Sequence, residues 1–167
     1  DVRKIGNINM PKVGDMRQMF IYCYNLTSIG TITTSSTYLW GLDNCFANCH
    51  KLLKVNLFDT GSVSDFSSVF SSCFQLSEVP LFNTSNVTNF TSSFNSCRSL
   101  RTFPAINTSK GTNFTNMFYD CHLLESIYPL SMNKADTINQ MFWRCYNITS
   151  ITFSNSYTYI QPYNAFR

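Results

Sequence analysis

Six cysteines, Cys23, Cys49, Cys73, Cys97, Cys121 and Cys145, stand 26, 24, 24, 24 and 24 residues apart, and three positions before each comes a phenylalanine: Phe20, Phe46, Phe70, Phe94, Phe118 and Phe142. Three positions after each cysteine stands Leu26, Leu52, Leu76, Leu100, Leu124 or Ile148. Three beyond that comes Ile29, Val55, Val79, Phe103, Ile127 or Ile151. Six tandem copies of F-x-x-C-x-x-[LI]-x-x-Φ, with Φ apolar, constrain this chain more than any other feature. A unit of about 24 residues cannot bury its apolar face alone and must stack on its neighbours. The 167 residues are therefore read as one repeat array rather than as separate domains.

The apolar period changes inside each copy. Met16, Met19, Phe20 and Cys23 stand at i, i+3, i+4 and i+7, as do Ile138, Met141, Phe142 and Cys145, which predicts a short helix or 3₁₀ segment. The next stretch alternates: Val55 and Leu57, Val79 and Leu81, and Ile151 and Phe153 predict a strand with these residues inward. Between the halves lie spacers such as FNTSNVTNF (82–90), whose short polar side chains suit turns. The expected fold is an α/β solenoid of one short parallel strand and one short helical segment per repeat.

Both ends fall inside repeats. Phe166 follows Phe142 by one repeat length, and Val2, Ile5 and Ile8 precede Leu26, Ile29 and Ile32 by the same shift. The expectation is a segment of a longer protein, whose end repeats would expose Val2, Ile5, Ile8, Ile160 and Phe166 and favour end-to-end association.

The copies of F-x-x-C-x-x-L-x-x-Φ, joined to that spacer, resemble the repeat of BspA-like leucine-rich-repeat surface proteins. The resemblance covers nearly the whole chain and implies a right-handed horseshoe with a concave parallel sheet. It also implies a role in adhesion at a cell surface, although similar repeats occur in phage proteins. The chain departs from the pattern where the spacer valine, as in Val13, Val63 and Val87, becomes Gly111 and Ala135, which predicts looser later repeats. Two extra residues within 31–41 predict an outward bulge.

Charge narrows the partners. Charged residues make up 13% of the chain and the formal net charge is +3, too little to form a basic stripe for nucleic acid. No apolar run approaches the roughly 20 residues of a membrane span. The cysteine column can be a disulfide ladder, a metal site or a stack of buried thiols. Thiols are favoured, because repeats on the helical side of a curved solenoid should stand wider apart than disulfide geometry accepts. Cys45 shares a column with Met19, Val69, Met117 and Met141 and reads as core. His50 and His122 lie three repeats apart, too far to share a metal, and no acidic residue stands in register with them. Neither a catalytic constellation nor a cofactor site is expected.

What remains is surface. The concave strand positions hold Lys54, Asn56, Glu78, Arg101, Thr102, Glu125 and Tyr128, a mixture that suits either a binding surface or unconstrained solvent positions. Trp40 and Trp143 occupy outward columns as further contact candidates. Pro80 and Pro104 predict short strands. Sequons at Asn25, Asn83, Asn86, Asn89, Asn107, Asn113 and Asn147 are candidate glycosylation sites, although most recur in register and turn chemistry alone would generate them. The leading expectation is a non-enzymatic extracellular module that binds a protein or glycan partner. The alternative is a structural element of a phage or viral particle, or of an extracellular filament, packed against neighbouring copies.

Overall fold

A computed structural model describes residues 2–35 and 37–154. The repeats lie against one another in parallel register, but they do not form the expected α/β leucine-rich-repeat horseshoe. Among the described residues there is neither an α-helix nor a 3₁₀ segment. The strands are two residues long: β1 (Lys4–Ile5), β2 (Ile8–Asn9), β3 (Ser28–Ile29), β4 (Ile32–Thr33), β5 (Thr102–Phe103) and β6 (Ser126–Ile127). They pair β1 with β3, β2 with β4 and β5 with β6, in three separate two-stranded parallel sheets. Isolated parallel bridges join other repeats, as in the series Asp15, Gly41, Asp65, Asn89, Asn113 and Thr137. The result is all-β-like and dominated by turns.

The segments read as helical fail for a backbone reason. Two residues in each take a left-handed conformation, five positions and one position before the cysteine. Ser68 has φ 54° and Ser72 φ 59°, Asn116 has φ 56° and Asp120 φ 61°, and the other repeats match them. A right-handed helix cannot run through such residues. Instead the chain makes overlapping turns. The Ser71 N–H donates to the Ser68 carbonyl and the Cys73 N–H to the Phe70 carbonyl, both at 3.1 Å. The turns begin every two residues and the left-handed residue recurs every four, which returns Met16 and Phe20 to one side, as a helix would, so the apolar spacing alone does not separate the two.

The alternate N–H groups leave the repeat altogether. Those of Phe66, Ser68, Phe70 and Ser72 donate to the carbonyls of Asn89, Thr91, Ser93 and Asn95 at 2.7–2.9 Å, and the following interfaces repeat the pattern. The turn side is therefore the most regularly bonded part of the stack. This overturns the argument that repeats there stand too far apart for disulfides. The seven cysteines are free thiols, but spacing is not the reason.

The core lies between the turn side and the strand side. Phe20, Phe46, Phe70, Phe94, Phe118 and Phe142 form one stack with successive centroids 5.2–5.9 Å apart and ring planes within 18°. All six are buried. Beside them run Met16, Leu42, Phe66, Phe90, Phe114 and Ile138, also buried. Gly111 belongs to this packing: a Cβ there would lie 2.2 Å from Phe114 Cζ, so the ring fills the volume that valine takes in earlier repeats.

Three apolar placements differ from expectation. Leu57 and Leu81 are more than half exposed, whereas Phe58 and Phe82 are buried. The Phe82 N–H donates to the Pro80 carbonyl at 2.8 Å, a three-residue turn that reverses the inward parity after Val79. Met19 is exposed, although Cys45, Val69, Met117 and Met141 in its column are buried. The segment 31–41 is anchored in the core by Ile32 and Leu39, so any outward excursion is confined between them. Val2 is exposed and Ile5 and Ile8 are half-buried, while Ile160 and Phe166 lie outside the described residues.

Candidate functional site

The strand side gathers most of the sequence candidates. Lys54, Asn56, Glu78, Arg101, Thr102, Glu125 and Tyr128 are all exposed. Four of them pair between adjacent repeats: Lys54 Nζ lies 3.7 Å from Glu78, and the Arg101 guanidinium contacts the Glu125 carboxylate. Glu78 also lines a groove of about 380 Å³, walled with it by Thr102, Pro104 and Tyr128, with Val79 and Phe103 among its lining. Leu81, two residues after Val79 in the turn closed by the Phe82 N–H on the Pro80 carbonyl, is exposed. Asn56 is exposed but does not line the groove.

The two tryptophans belong elsewhere. Trp40 is exposed and carries the Arg17 guanidinium 4.8 Å from its ring, while Arg17 also clasps Asp15. Gly14 makes room for this ring, since a Cβ there would stand 2.8 Å from the indole nitrogen. Trp143 is half-buried, and its carbonyl accepts the Asp120 N–H at 2.7 Å.

The sequons are turn chemistry. Asn83 Oδ1 accepts the Ser85 N–H at 3.2 Å and its hydroxyl at 2.8 Å; Asn107 does the same with Ser109, and Asn89 with Thr91. Asn113 Oδ1 accepts the Thr115 N–H at 3.0 Å. Asp59 and Asp65, in register with Asn83 and Asn89, accept the N–H of Gly61 and Ser67 in the same way. A carboxylate serves where no sugar can attach, so the turn accounts for the asparagines without glycans. Asn86 is tied by its own amide, donating to the Gly61 carbonyl at 2.7 Å and accepting from Lys110 Nζ at 2.7 Å. Asn25 accepts from Lys51 Nζ, and Asn147 is exposed.

The middle residue of each N-T-S or D-T-G spacer has its own task. Thr60, Thr84 and Thr108 are buried, and each hydroxyl donates to a carbonyl of the next repeat, of Asn83, Asn107 and Ser131, at 2.7–2.9 Å. The sequence signal of this ladder is a threonine in fixed register, Thr60, Thr84 and Thr108, within spacers whose composition also suits turns.

A further column lies one position after the cysteines. Tyr24, His50, Phe74, Arg98, His122 and Tyr146 run down one edge. Tyr24 and His50 are 4.8 Å apart, His50 and Phe74 4.4 Å, the Arg98 guanidinium lies 4.7 Å from the Phe74 ring, and His122 and Tyr146 are 5.3 Å apart. The residue type changes at almost every step, which hides the column from a search for repeated letters. Burial, with no charged partner among its causes, draws the His50 pKa down.

Asp120 locks the lower half of this column. Its carboxylate is almost completely buried and receives Arg98 on Oδ2 at 2.8 Å, His122 on Oδ1 at 2.7 Å and Arg144 on Oδ1 at 3.3 Å. Burial pulls the Asp120 pKa up, but the hydrogen bonds from Arg98 and His122 and their charges bring it below the ordinary carboxylate value. No acidic residue stands in fixed register with both histidines, since Asn48 takes the place of Asp120 before His50, but Asp120 bonds His122 from two residues away in its own repeat.

Among the described residues no group of His, Cys, Asp or Glu is placed to hold a metal ion, and no helix is long and apolar enough to cross a membrane. Turn-bonded 24-residue units stacked in parallel, with a grooved strand side and a cationic aromatic edge, define a tandem-repeat protein. Residues 40–155 match the family described as "Mycoplasma protein of unknown function, DUF285", and the chain belongs to that family. No curated protein and no solved structure matches it.

Proposed function

We propose that this chain is a non-enzymatic interaction module displayed outside the cell, which binds a protein partner through its strand-side groove. The observation that carries the reading is the convergence of Glu78, Thr102 and Tyr128, from three successive repeats, on one groove with apolar lining. A groove with an apolar lining and a few fixed polar groups is a common recognition surface. Tyr128 offers a large amphipathic contact at small entropic expense. Glu78, which lies 3.7 Å from Lys54, stays well exposed as the groove's one carboxylate. Extracellular display is supported by the resemblance of the repeat to BspA-like surface proteins.

The test is binding of purified protein to a panel of defined extracellular proteins, followed by crosslinking from a photoreactive residue placed at 128. A partner that crosslinks from position 128, and binds Tyr128→Ala about tenfold more weakly or worse, supports the groove. Partners that crosslink only from the turn side, or that bind Tyr128→Ala unchanged, rule it out.

A further inference from the structure

The edge column of Tyr24, His50, Phe74, Arg98, His122 and Tyr146 has no counterpart in the groove reading and stands on separate observations. We propose that this column is a binding track for an acidic polysaccharide, lying along the stack with one sugar per repeat and its carboxylates or sulfates against the cations.

Geometry selects the ligand class. Adjacent members that touch lie 4.4–5.3 Å apart: His50 and Phe74 are stacked, Tyr24 with His50 and His122 with Tyr146 are tilted, and the Arg98 guanidinium lies over the Phe74 ring. Phe74 has His50 against it from one repeat and the Arg98 guanidinium from the other, so the middle of the track leaves little free ring face for a nucleobase, which binds by stacking. Tyr24 and Tyr146 are exposed, and the Arg98 side chain is nearly half exposed, with its Nε and one terminal nitrogen turned to Asp120. An aromatic edge is the positive end of the ring quadrupole. The column thus presents donors and positive edges once per repeat, a spacing close to the rise of one hexose in an extended chain. An acidic peptide fits less well. Its side chains on one face recur every two residues, about 6.6 to 6.8 Å.

Charge points the same way. The column and its two flanking columns, from Tyr22 to Arg144 and from Asn25 to Asn147, contain Lys51, Arg98 and Arg144 against a single acidic residue, Asp120. That carboxylate is buried beneath its partners and presents almost no surface. Its effect is to fix Arg98, His122 and Arg144 in place, while the two arginine side chains stay nearly half exposed. Tyr22, Tyr24 and Tyr146 are exposed at the two ends of the track.

Titration calorimetry at low salt tests this with oligogalacturonate, a neutral gluco-oligosaccharide, oligo(dT) and polyglutamate as probes. The expected result is binding of hexagalacturonate but not of the digalacturonate or the neutral chain, weakening as salt is raised. Arg144→Gln and Tyr24→Ala should each weaken it about tenfold, Arg144→Lys should retain most of it, and Tyr128→Ala in the groove should leave it unchanged. Melts of each variant separate lost binding from lost folding, and a variant that does not fold is replaced by Lys51→Gln. The proposal is overturned if no acidic sugar binds at low salt, if neutral chains bind equally, if oligo(dT) or polyglutamate binds more tightly, or if the folded track variants bind as the parent does. Because the groove variant is a control here, failure of the track and failure of the groove are distinguishable.

Discussion

Cys73 Sγ donates to the carbonyl oxygen of Phe46, one repeat back, at 3.2 Å. The same bond recurs from Cys49 to Phe20, Cys97 to Phe70, Cys121 to Phe94 and Cys145 to Phe118, at 3.0–3.3 Å. Each thiol is thus both a small apolar filler and a donor between repeats, and a disulfide would remove the proton from both partners. Cys73→Ala should destabilise by about 1 to 3 kcal/mol, from a lost donor and a small cavity, as measured by urea unfolding. Burial pushes the Cys49 thiol up to about 12 and raises those of Cys45, Cys73, Cys97 and Cys121 as well. Native protein should therefore react with a thiol reagent at the half-buried Cys23 first, and at all seven only when denatured. Protection that persists in denaturant would mean disulfides after all.

Ser68 occupies a left-handed position with φ 54° and donates its N–H to the Thr91 carbonyl. A β-branched side chain is disfavoured there, so Ser68→Val should lose about 1 to 2 kcal/mol while Ser68→Gly stays near the parent. Equal stabilities would mean that these turns are not left-handed in solution. Far-ultraviolet circular dichroism of the parent should lack the helical double minimum.

The same position shows what could be read in the sequence. The stack, its register and the buried Phe and Cys columns followed from repetition, because identical residues one repeat apart must occupy equivalent sites. The helix did not follow. Four-residue turns and a helix bring Met16 and Phe20 to the same side, so the period could not separate them. The discriminating signal was Asn44 and Asn48, Ser92 and Ser96, and Asn116 and Asp120, short polar residues four apart that favour turns or tolerate positive φ. Leu57 and Leu81 misled for a related reason, since alternation holds only while the strand continues. The Tyr24-to-Tyr146 column escaped because register analysis sees conserved letters, whereas stacking needs only flat groups.

Asp120 ties Arg98, His122 and Arg144 together from a buried position. Its pKa is lowered on folding, so its stabilisation is complete above its ordinary value, about 4, and is lost as pH falls through the lower folded value. Asp120→Asn should be less stable by about 1 to 3 kcal/mol at neutral pH. Unfolding curves of the two proteins should converge as the pH drops below about 4. A difference that persists unchanged in acid would show that the amide disturbs packing rather than charge.

Asn83 and Asp59 share a register and make the same turn, through Oδ1 to the N–H two residues on. Asn83→Asp should therefore leave the melting temperature nearly unchanged although it destroys the sequon. Asn83→Ala, which removes the acceptor from an exposed turn, should lose about 0.5 to 1.5 kcal/mol. The neighbouring Thr84 provides the contrast. Its buried hydroxyl donates to the Asn107 carbonyl at 2.7 Å, so Thr84→Val, which leaves the sequon intact, should lose about 1 to 3 kcal/mol through the unsatisfied carbonyl. If Asn83→Asp proved as damaging as Asn83→Ala, the side-chain amide itself would be required, and the reading of these asparagines as turn formers would fail.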